Sequence, residues 1–191
     1  MREGGNMSDL LDRLDKVKAR ISEPAFLANK GLSNEVGIHV FCYDPEDELV
    51  VQTYFGKLRE ESNTAFRIVE CDLYKIFLSI CEEKRILNSI PRMEENKGSE
   101  FLKAKLENIA TPEAFVEKMK YEPHQSGDIL LISGVGKVYP FMRSHKILDN
   151  IQHIFEDIPV LMLYPGKFDG QNLDLFGRFL DGHYYRAFNL L

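Results

Sequence analysis

The segment "LLISGVGKVYPFMRSH" (residues 130–145) decides the fold of this chain. Its beginning belongs to "DILLIS" (128–133), which is apolar on both faces and therefore predicts a buried parallel strand. Two glycines and a lysine follow, and Pro140 then predicts the first turn of a helix that carries Arg143 and His145. The segment thus has the outline of a strand, a tight turn and a helix.

Further strands are predicted on both sides of this segment. "EVGIHVFCY" (35–43) and "AFRIVECD" (65–72) precede it, and "PVLMLYP" (159–165) follows it. Each is a short run of β-forming apolar residues closed by turn residues. "HYYRAFNLL" (183–191) predicts a last strand, although a short helix competes for the same residues.

Helical periodicity fills the gaps between these strands. Residues 8–21, 46–62, 73–87 and 140–155 repeat apolar side chains at the helical period, and residues 88–127 predict an excursion of two helices without a strand. Strands that alternate with helices predict an α/β fold: a mainly parallel sheet of about five strands, sandwiched by helices, Rossmann-like or P-loop-like.

The length of the chain predicts one domain. A chain of 191 residues can bury a sizeable core but is short for two independent ones, so we assign residues 8–191 to a single domain. Residues 1–7, "MREGGNM", are glycine-rich and are expected to form a disordered N-terminal extension.

Composition limits the classes of function. The formal net charge of −6 and the pI near 5.4 oppose nonspecific duplex binding, so nucleic-acid contact is expected only indirectly, through a partner or a local patch. No apolar run approaches the roughly 20 residues of a membrane helix, and no signal peptide is evident, which predicts a cytoplasmic protein. Cys42, Cys71 and Cys81 form no metal-binding pattern and are expected to be buried thiols.

The glycine turn after the strand lacks the residues of a nucleotide-binding loop. A Walker loop needs glycine where Leu131 stands and a hydroxyl where Val138 stands, and a dinucleotide fingerprint needs glycine at Tyr139. The sequence therefore predicts no functional P-loop.

A weaker possibility is an anion site formed by amides and basic side chains of the same turn. The alternative is a purely structural corner, which is favoured because glycine is the default residue of tight turns. The candidates are Gly134, Gly136, Lys137, Tyr139 and Arg143.

Catalytic and metal sites find no support. Ser144 and His145 are neighbours, so on a helix their side chains diverge by about 100° and cannot form a nucleophile–base pair. Asp44, Asp72 and Asp169 stand where caps and turns use aspartate. We predict no catalytic residue, no metal and no cofactor.

The C-terminal part is rich in aromatic residues interleaved with Gly, Lys and Arg. This composition is typical of a packed corner and of a protein-binding surface, whereas stacking on single-stranded bases is disfavoured by the acidic charge. The candidate partner-binding residues are Phe168, Phe176, Phe179, Tyr184 and Tyr185.

Several motifs in order resemble one family. "NKGLSNEVGIHVFCYDPEDEL", "CDLY", "GVGKVYPFMRSH", "YPGKFDGQNLDLFGRF" and "YYRAF" are similar to the BrxB family of bacteriophage exclusion (BREX) defence systems, over about residues 8–191. The resemblance implies a cytoplasmic anti-phage component encoded with a methyltransferase, a large ATPase and PglZ, a protein of the alkaline phosphatase superfamily.

The family offers no established catalytic residues to carry over. The resemblance implies a non-catalytic assembly or adaptor subunit that binds PglZ in methylation-dependent phage restriction, with other BREX subunits as partners. Two alternatives stay open: a nucleotide- or anion-binding sensor or enzyme that uses loops 133–143 with Asp44, and direct DNA binding through a hidden basic patch. A homodimer also stays open.

Overall fold

A computed structural model describes residues 7–29, 37–61, 65–180 and 187–191 of the chain. The α-helices there are α1 (Met7–Ile21), α2 (Pro24–Leu27), α3 (Glu48–Glu60), α4 (Leu73–Glu83), α5 (Ile90–Lys97), α6 (Ser99–Ile109), α7 (Pro112–Met119), α8 (Val135–Val138) and α9 (Ser144–Ile151). The strands are β1 (Ile38–Tyr43), β2 (Arg67–Asp72), β3 (Asp128–Ser133), β4 (Val160–Phe168), β5 (Leu173–Leu175), β6 (Phe179–Leu180) and β7 (Phe188–Asn189).

Five parallel strands form the main sheet in the order β2-β3-β4-β1-β7. The predicted α/β fold with a mainly parallel sheet sandwiched by helices is thereby confirmed. Every residue of β3 is buried, as expected of an inner strand covered on both faces. Of the predicted last strand (183–191), residues 183–186 lie outside the described residues, and the described end contributes the two-residue parallel strand β7.

Helices cover the sheet on both faces because its side chains alternate between two cores. Ile129 and Leu131 of β3 pack with α1 and α3, whereas Leu130 and Ile132 pack with α4, α7 and α9. The hydrophobic stabilisation therefore comes from two layers of buried side chains, one on each face.

The buried side chain of Asp128 stabilises the start of β3 through hydrogen bonds. Asp128 is fully buried and accepts two hydrogen bonds from the Arg67 guanidinium, at 2.7 and 2.6 Å. It also accepts one from the Tyr121 hydroxyl at 3.0 Å and one from the backbone N–H of Gln125 at 2.9 Å. Burial alone would raise the pKa of Asp128, but these donors outweigh it and hold the pKa below its usual value.

Four sequence predictions need correction in detail. Residues 88–127 hold the three helices α5, α6 and α7 rather than two, although no strand lies among them. The helix predicted from Pro140 begins at Ser144 instead, because the short α8 already follows the glycine turn. The N-terminal helix includes Met7, which we had assigned to the extension, and residues 1–6 lie outside the described part.

The fourth correction concerns β4, which continues past its predicted end at Pro165 to Phe168. Its extension pairs antiparallel with β5, and β5 pairs with β6. This three-stranded hairpin unit, residues 160–180, was not predicted.

In the part of the chain that the structure covers, no helix is long and apolar enough to cross a membrane.

Candidate functional site

The carboxyl edge of the parallel sheet is the expected place for a ligand. The strand β4 lies between β3 and β1, the chain leaves β3 toward one face of the sheet, and it leaves β1 toward the other. In open α/β sheets, ligands bind in the crevice at such a topological switch point. The glycine turn after β3 lies at this point.

Residue 134 must be glycine because the chain that leaves β3 lies very close to Asp72 at the end of β2. Its φ of +74° is left-handed, and a Cβ there would lie 2.5 Å from Oδ1 of Asp72. Asp72 Oδ1 accepts the backbone N–H groups of Tyr74 at 2.9 Å and Lys75 at 3.1 Å, so it caps α4. The predicted role of Asp72 as a helix cap is confirmed, and Gly134 makes room for it.

Gly136 is required by an aromatic side chain. A Cβ there would lie 2.8 Å from Cε1 of Phe176 and 3.0 Å from Cγ of Pro165. The Phe176 amide donates to the Pro165 carbonyl at 2.9 Å, which fixes the β5–β6 turn against the strand exit. The ring of Phe176 therefore fills space beside the glycine turn.

The side chain of Lys137 on α8 contacts α3, which lies on the other face of the sheet. Its Nζ donates to Oε1 of Gln52 at 3.1 Å and lies 3.9 Å from Oε1 of Glu48, both on α3. Glu48 also accepts from Gln52 at 2.6 Å and from the Tyr43 hydroxyl at 2.5 Å. Burial and the bond to Glu48 raise the pKa of Tyr43, so the phenol stays a neutral donor. We call Tyr43, Glu48, Gln52 and Lys137 the α3 latch.

The other two anion candidates belong to an aromatic cluster. The Arg143 guanidinium carbon lies 5.7 Å from the centroid of the Tyr139 ring. The Tyr139 ring centroid lies 5.0 Å from that of Phe179 and 6.5 Å from that of Phe176. The cavity among Tyr139, Arg143 and Phe179 has a volume of only about 10 Å³, which is room for about one water molecule.

The structure thus brings together two sets of residues that the sequence analysis had treated separately. Tyr139 and Arg143 of the anion set contact Phe176 and Phe179 of the partner set or share a cavity with them. Phe168 is half-buried against the core on the face of α4 and α9. Tyr184 and Tyr185 lie outside the described residues. Anion binding and partner binding stay predictions.

The described ranges hold no candidate metal site, and the pKa values of their cysteines are raised. No group of three or more His, Cys, Asp or Glu side chains there could hold a metal ion. Burial raises the pKa of Cys42 to about 12, although the positive charge of Arg13 acts in the opposite direction. Burial also raises the pKa of Cys71 to about 12 and raises the pKa of Cys81. These thiols stay protonated near neutral pH, which makes them poor nucleophiles.

Exposed apolar side chains surround the same edge of the sheet, a feature that the sequence analysis missed. Helices α3 and α4 begin there. Helix α1 also begins there: Arg13 in its middle donates to the carbonyl of Cys42 near the end of β1, and Lys18 near its end pairs with Glu61 just after α3, so α1 runs in the same direction as α3. The large apolar side chains on these starts and on the hairpin are Leu49 (75% exposed), Leu180 (67%), Met7 (52%), Leu11 (47%), Phe179 (41%) and Tyr74 (37%). We call these six residues the apolar rim. The sequence signal was apolar residues outside the buried helical stripe, such as Leu11 beside Leu10.

Comparisons with known proteins agree on one family. The family described as "BREX protein BrxB" matches residues 69–190. A "BREX protein BrxB" of Bacillus cereus (strain H3081.97) is 37% identical over an alignment of 190 positions that covers 97% of this chain and 99% of the relative. A "BREX protein BrxB" of Escherichia coli O9:H4 (strain HS) is 27% identical over 180 residues, 94% and 90% of the two chains. No solved structure matches.

Proposed function

This chain belongs to the BrxB family and is a component of a BREX phage-defence system, in which we propose that it is a non-catalytic assembly subunit that binds PglZ. The proposed docking surface is the carboxyl edge of the sheet, formed by the apolar rim and the aromatic cluster of Tyr139, Phe176 and Phe179. Its role is to hold PglZ in the complex that carries out methylation-dependent phage restriction.

One observation supports this proposal: side chains of the chain occupy the crevice in which open α/β sheets usually bind a ligand. The ring of Phe176 occupies the space beside Gly136, and the α3 latch joins α8 to α3 across the switch point. A nucleotide would have to displace both. The fold therefore keeps the architecture of a ligand-binding domain while the usual place for the ligand is occupied by side chains.

The surroundings of the filled crevice suit a protein partner. Isolated exposed apolar residues are ordinary, but six of them lie on helix starts and on the hairpin at this one edge. Aromatic residues and arginine are enriched at the energetic centre of protein interfaces, and Tyr139, Phe179 and Arg143 lie together here. The expected interface is apolar at its centre, with charged residues around it.

The test is co-purification with PglZ of the same system, followed by measurement of the dissociation constant for wild type and two matched variants. Phe179→Ala removes an aromatic ring of the edge that is 41% exposed, and Phe101→Ala removes a ring of α6 that is 42% exposed. We expect Phe179→Ala to weaken binding at least about tenfold, as truncation of an interface hot spot does, and Phe101→Ala to leave it unchanged.

Two results would contradict the proposal. Equal binding by both variants would remove the docking surface from the carboxyl edge. Failure of the wild type to bind PglZ, together with a nucleotide-dependent rise in Tm that is lost in a Lys137→Ala/Arg143→Ala double variant, would establish the alternative function: a nucleotide- or anion-binding sensor or enzyme that uses loops 133–143.

A further inference from the structure

Helices α1 and α3 lie side by side on one face of the sheet and run in the same direction. Lys18, in the last turn of α1, pairs with Glu61 just after α3 at 2.7 Å. Nearer to the carboxyl edge, the Tyr54 hydroxyl of α3 donates to the carbonyl of Leu14 at 2.9 Å. These two contacts fix which faces of the helices are turned toward each other.

The starts of the two helices carry exposed apolar side chains. Leu11 lies two helical turns before Lys18, and Asp47 lies two turns before Tyr54, so both lie on the facing sides of the helices. Leu11 is 47% exposed. Leu49, in the first turn of α3, is 75% exposed, more than any other large apolar side chain in the described ranges. The two helices therefore present apolar surface to solvent at the carboxyl edge.

Acidic residues surround this apolar surface. We call residues 7–16 and 44–52 the α1–α3 cleft; the first range holds three acids and two bases, and the second holds four acids and no base. Glu48 belongs to the α3 latch, in which Lys137 lies 3.9 Å away. Within the described ranges, none of the other six carboxylates forms an ion pair, and Asp44 and Asp47 make no cap bond through their side chains. These six are Asp9, Asp12, Asp15, Asp44, Glu46 and Asp47.

The bases of the cleft do not neutralise these acids. The Arg13 guanidinium donates to the carbonyl of Cys42 at 2.6 Å and lies 5.0 Å from the centroid of the Phe41 ring, so it is directed toward the end of β1. Lys16 is exposed and supplies one charge. Residues 1–6 lie outside the described residues and hold one Arg and one Glu, whose charges cancel. The cleft therefore combines exposed apolar side chains with a net negative charge.

We propose that the α1–α3 cleft binds a basic, apolar segment of another BREX subunit. Lys and Arg side chains of that segment pair with the six carboxylates, and its apolar side chains cover Leu11 and Leu49. The inference rests on the assembly role proposed above and specifies the chemistry of the partner at one end of the same carboxyl edge. Complementary charge steers the segment to the cleft and fixes its register, while burial of apolar surface stabilises the contact.

The same charge disfavours other occupants. A second copy of this chain would bring the six carboxylates against each other, in a protein whose formal net charge is −6. Nucleic acid is repelled by the cleft, because its affinity for proteins depends on Lys and Arg that neutralise phosphates.

The first test compares two triple variants of the full chain, each of which replaces three acids by the amides of the same shape. The cleft variant is Asp44→Asn/Glu46→Gln/Asp47→Asn, and the control variant, at exposed positions of α5 and α6, is Glu94→Gln/Glu95→Gln/Glu100→Gln. Both change the net charge equally, so only the location of the change differs. Wild type and variants are co-expressed with the remaining subunits of the same BREX system. The Kd of the retained subunit is then measured from about 50 to about 500 mM NaCl.

We expect the cleft variant to weaken binding at least about tenfold at low salt and the control variant to change it less than about twofold. The wild-type Kd should rise with salt, and that of the cleft variant should rise less steeply, because fewer charges remain to be screened. Circular dichroism confirms that both variants are folded. Equal Kd values for the two triple variants would overturn the proposal.

The second test identifies the occupant directly. The photoreactive amino acid p-benzoylphenylalanine replaces Leu49, the complex is irradiated, and the cross-linked segment is identified by mass spectrometry. We expect a segment of the partner in which Lys and Arg outnumber Asp and Glu and flank apolar residues. A segment of net negative charge, or no cross-link in a complex that forms, would overturn the proposal. A cross-link to a second copy of this chain would overturn it in favour of self-association.

The two proposals fail separately. Loss of binding in Phe179→Ala with equal binding by the two triple variants would support docking at the carboxyl edge and overturn the role of the α1–α3 cleft. Loss of a subunit other than PglZ in the cleft variant would support the cleft and contradict the assignment of PglZ as the partner. If wild type retains no subunit, both proposals are overturned.

Discussion

The ring of Phe176 lies against the backbone of Gly136, so close that a Cβ on the glycine would stand 2.8 Å from Cε1 of the ring. Phe176 itself has a positive φ of +59°, an uncommon conformation for a bulky residue. Gly177 follows with a φ of +61°, as in the hairpin turns whose two central residues are both left-handed. The turn therefore places an aromatic ring where such folds usually leave room for a ligand.

Gly136→Ala is expected to destabilise the protein. The added methyl overlaps the Phe176 ring and Pro165, and overpacking of this kind costs about 1–3 kcal/mol in the free energy of unfolding. Gly56→Ala in α3 is the matched control, since a Cβ there meets nothing within 4 Å and alanine is favoured in a helix by about 0.5–1 kcal/mol. Urea unfolding of the two variants measures the difference. Equal stability of Gly136→Ala and wild type would show that the ring does not pack on the glycine.

Tyr43→Phe is expected to loosen the α3 latch. It removes the hydroxyl that donates to Glu48 at 2.5 Å, and a hydrogen bond of this kind contributes about 0.5–1.5 kcal/mol to the free energy of unfolding. Tyr74→Phe on the apolar rim is the control and should change this free energy by less than about 0.5 kcal/mol, as exposed sites generally do. A Tyr43→Phe variant as stable as the control would mean that the latch is not held by this bond.

Asp128 is expected to make stability depend on pH in the acid range. Its pKa is lower in the folded protein than in the unfolded chain, so its contribution is fully present above about pH 4, the ordinary value for aspartate, and is lost as pH falls below it. Asp128→Asn should lower the free energy of unfolding at pH 7 by about 1–3 kcal/mol, since Asn cannot satisfy the same donors.

The pH dependence separates this effect from a general loss of stability. Between pH 5 and pH 3, the Asp128→Asn variant should lose less stability than wild type does, whereas exposed Asp149→Asn should follow wild type. Urea unfolding at each pH gives the comparison. A parallel loss of stability in Asp128→Asn and wild type would exclude the linkage.

The cysteines are expected to react slowly in the folded protein. Cys42 and Cys71 have pKa values raised to about 12 and Cys81 also has a raised pKa, so little thiolate exists at pH 8. Iodoacetamide at pH 8 should leave all three unlabelled in the native chain and label them in 6 M urea, as read by mass spectrometry. Rapid native labelling of one cysteine would identify an accessible, activated thiol and contradict the non-catalytic proposal at that position.

Local patterns were sufficient for most of the elements. The apolar run 128–133 is β3 with unchanged bounds, because a strand covered on both faces needs apolar residues at every position. Asp72 could be assigned as a helix cap, because a cap contacts amides only two or three residues away. The start of α9 was misplaced from Ser144 to Pro140, because a short helix already followed the glycine turn.

The sequence by itself determined the α/β class, the five parallel strands, the absence of a P-loop motif and, through its motifs, the BrxB family. These properties depend on local periodicity and on residue types at fixed spacing. Only the tertiary structure decided which distant side chains pack against the glycine turn. Phe176 contacts Gly136 although the two are 40 positions apart in the sequence, and Lys137 binds Gln52 across 85 positions. The order of the strands in the sheet brings these side chains together at the switch point, and no local sequence pattern encodes that order.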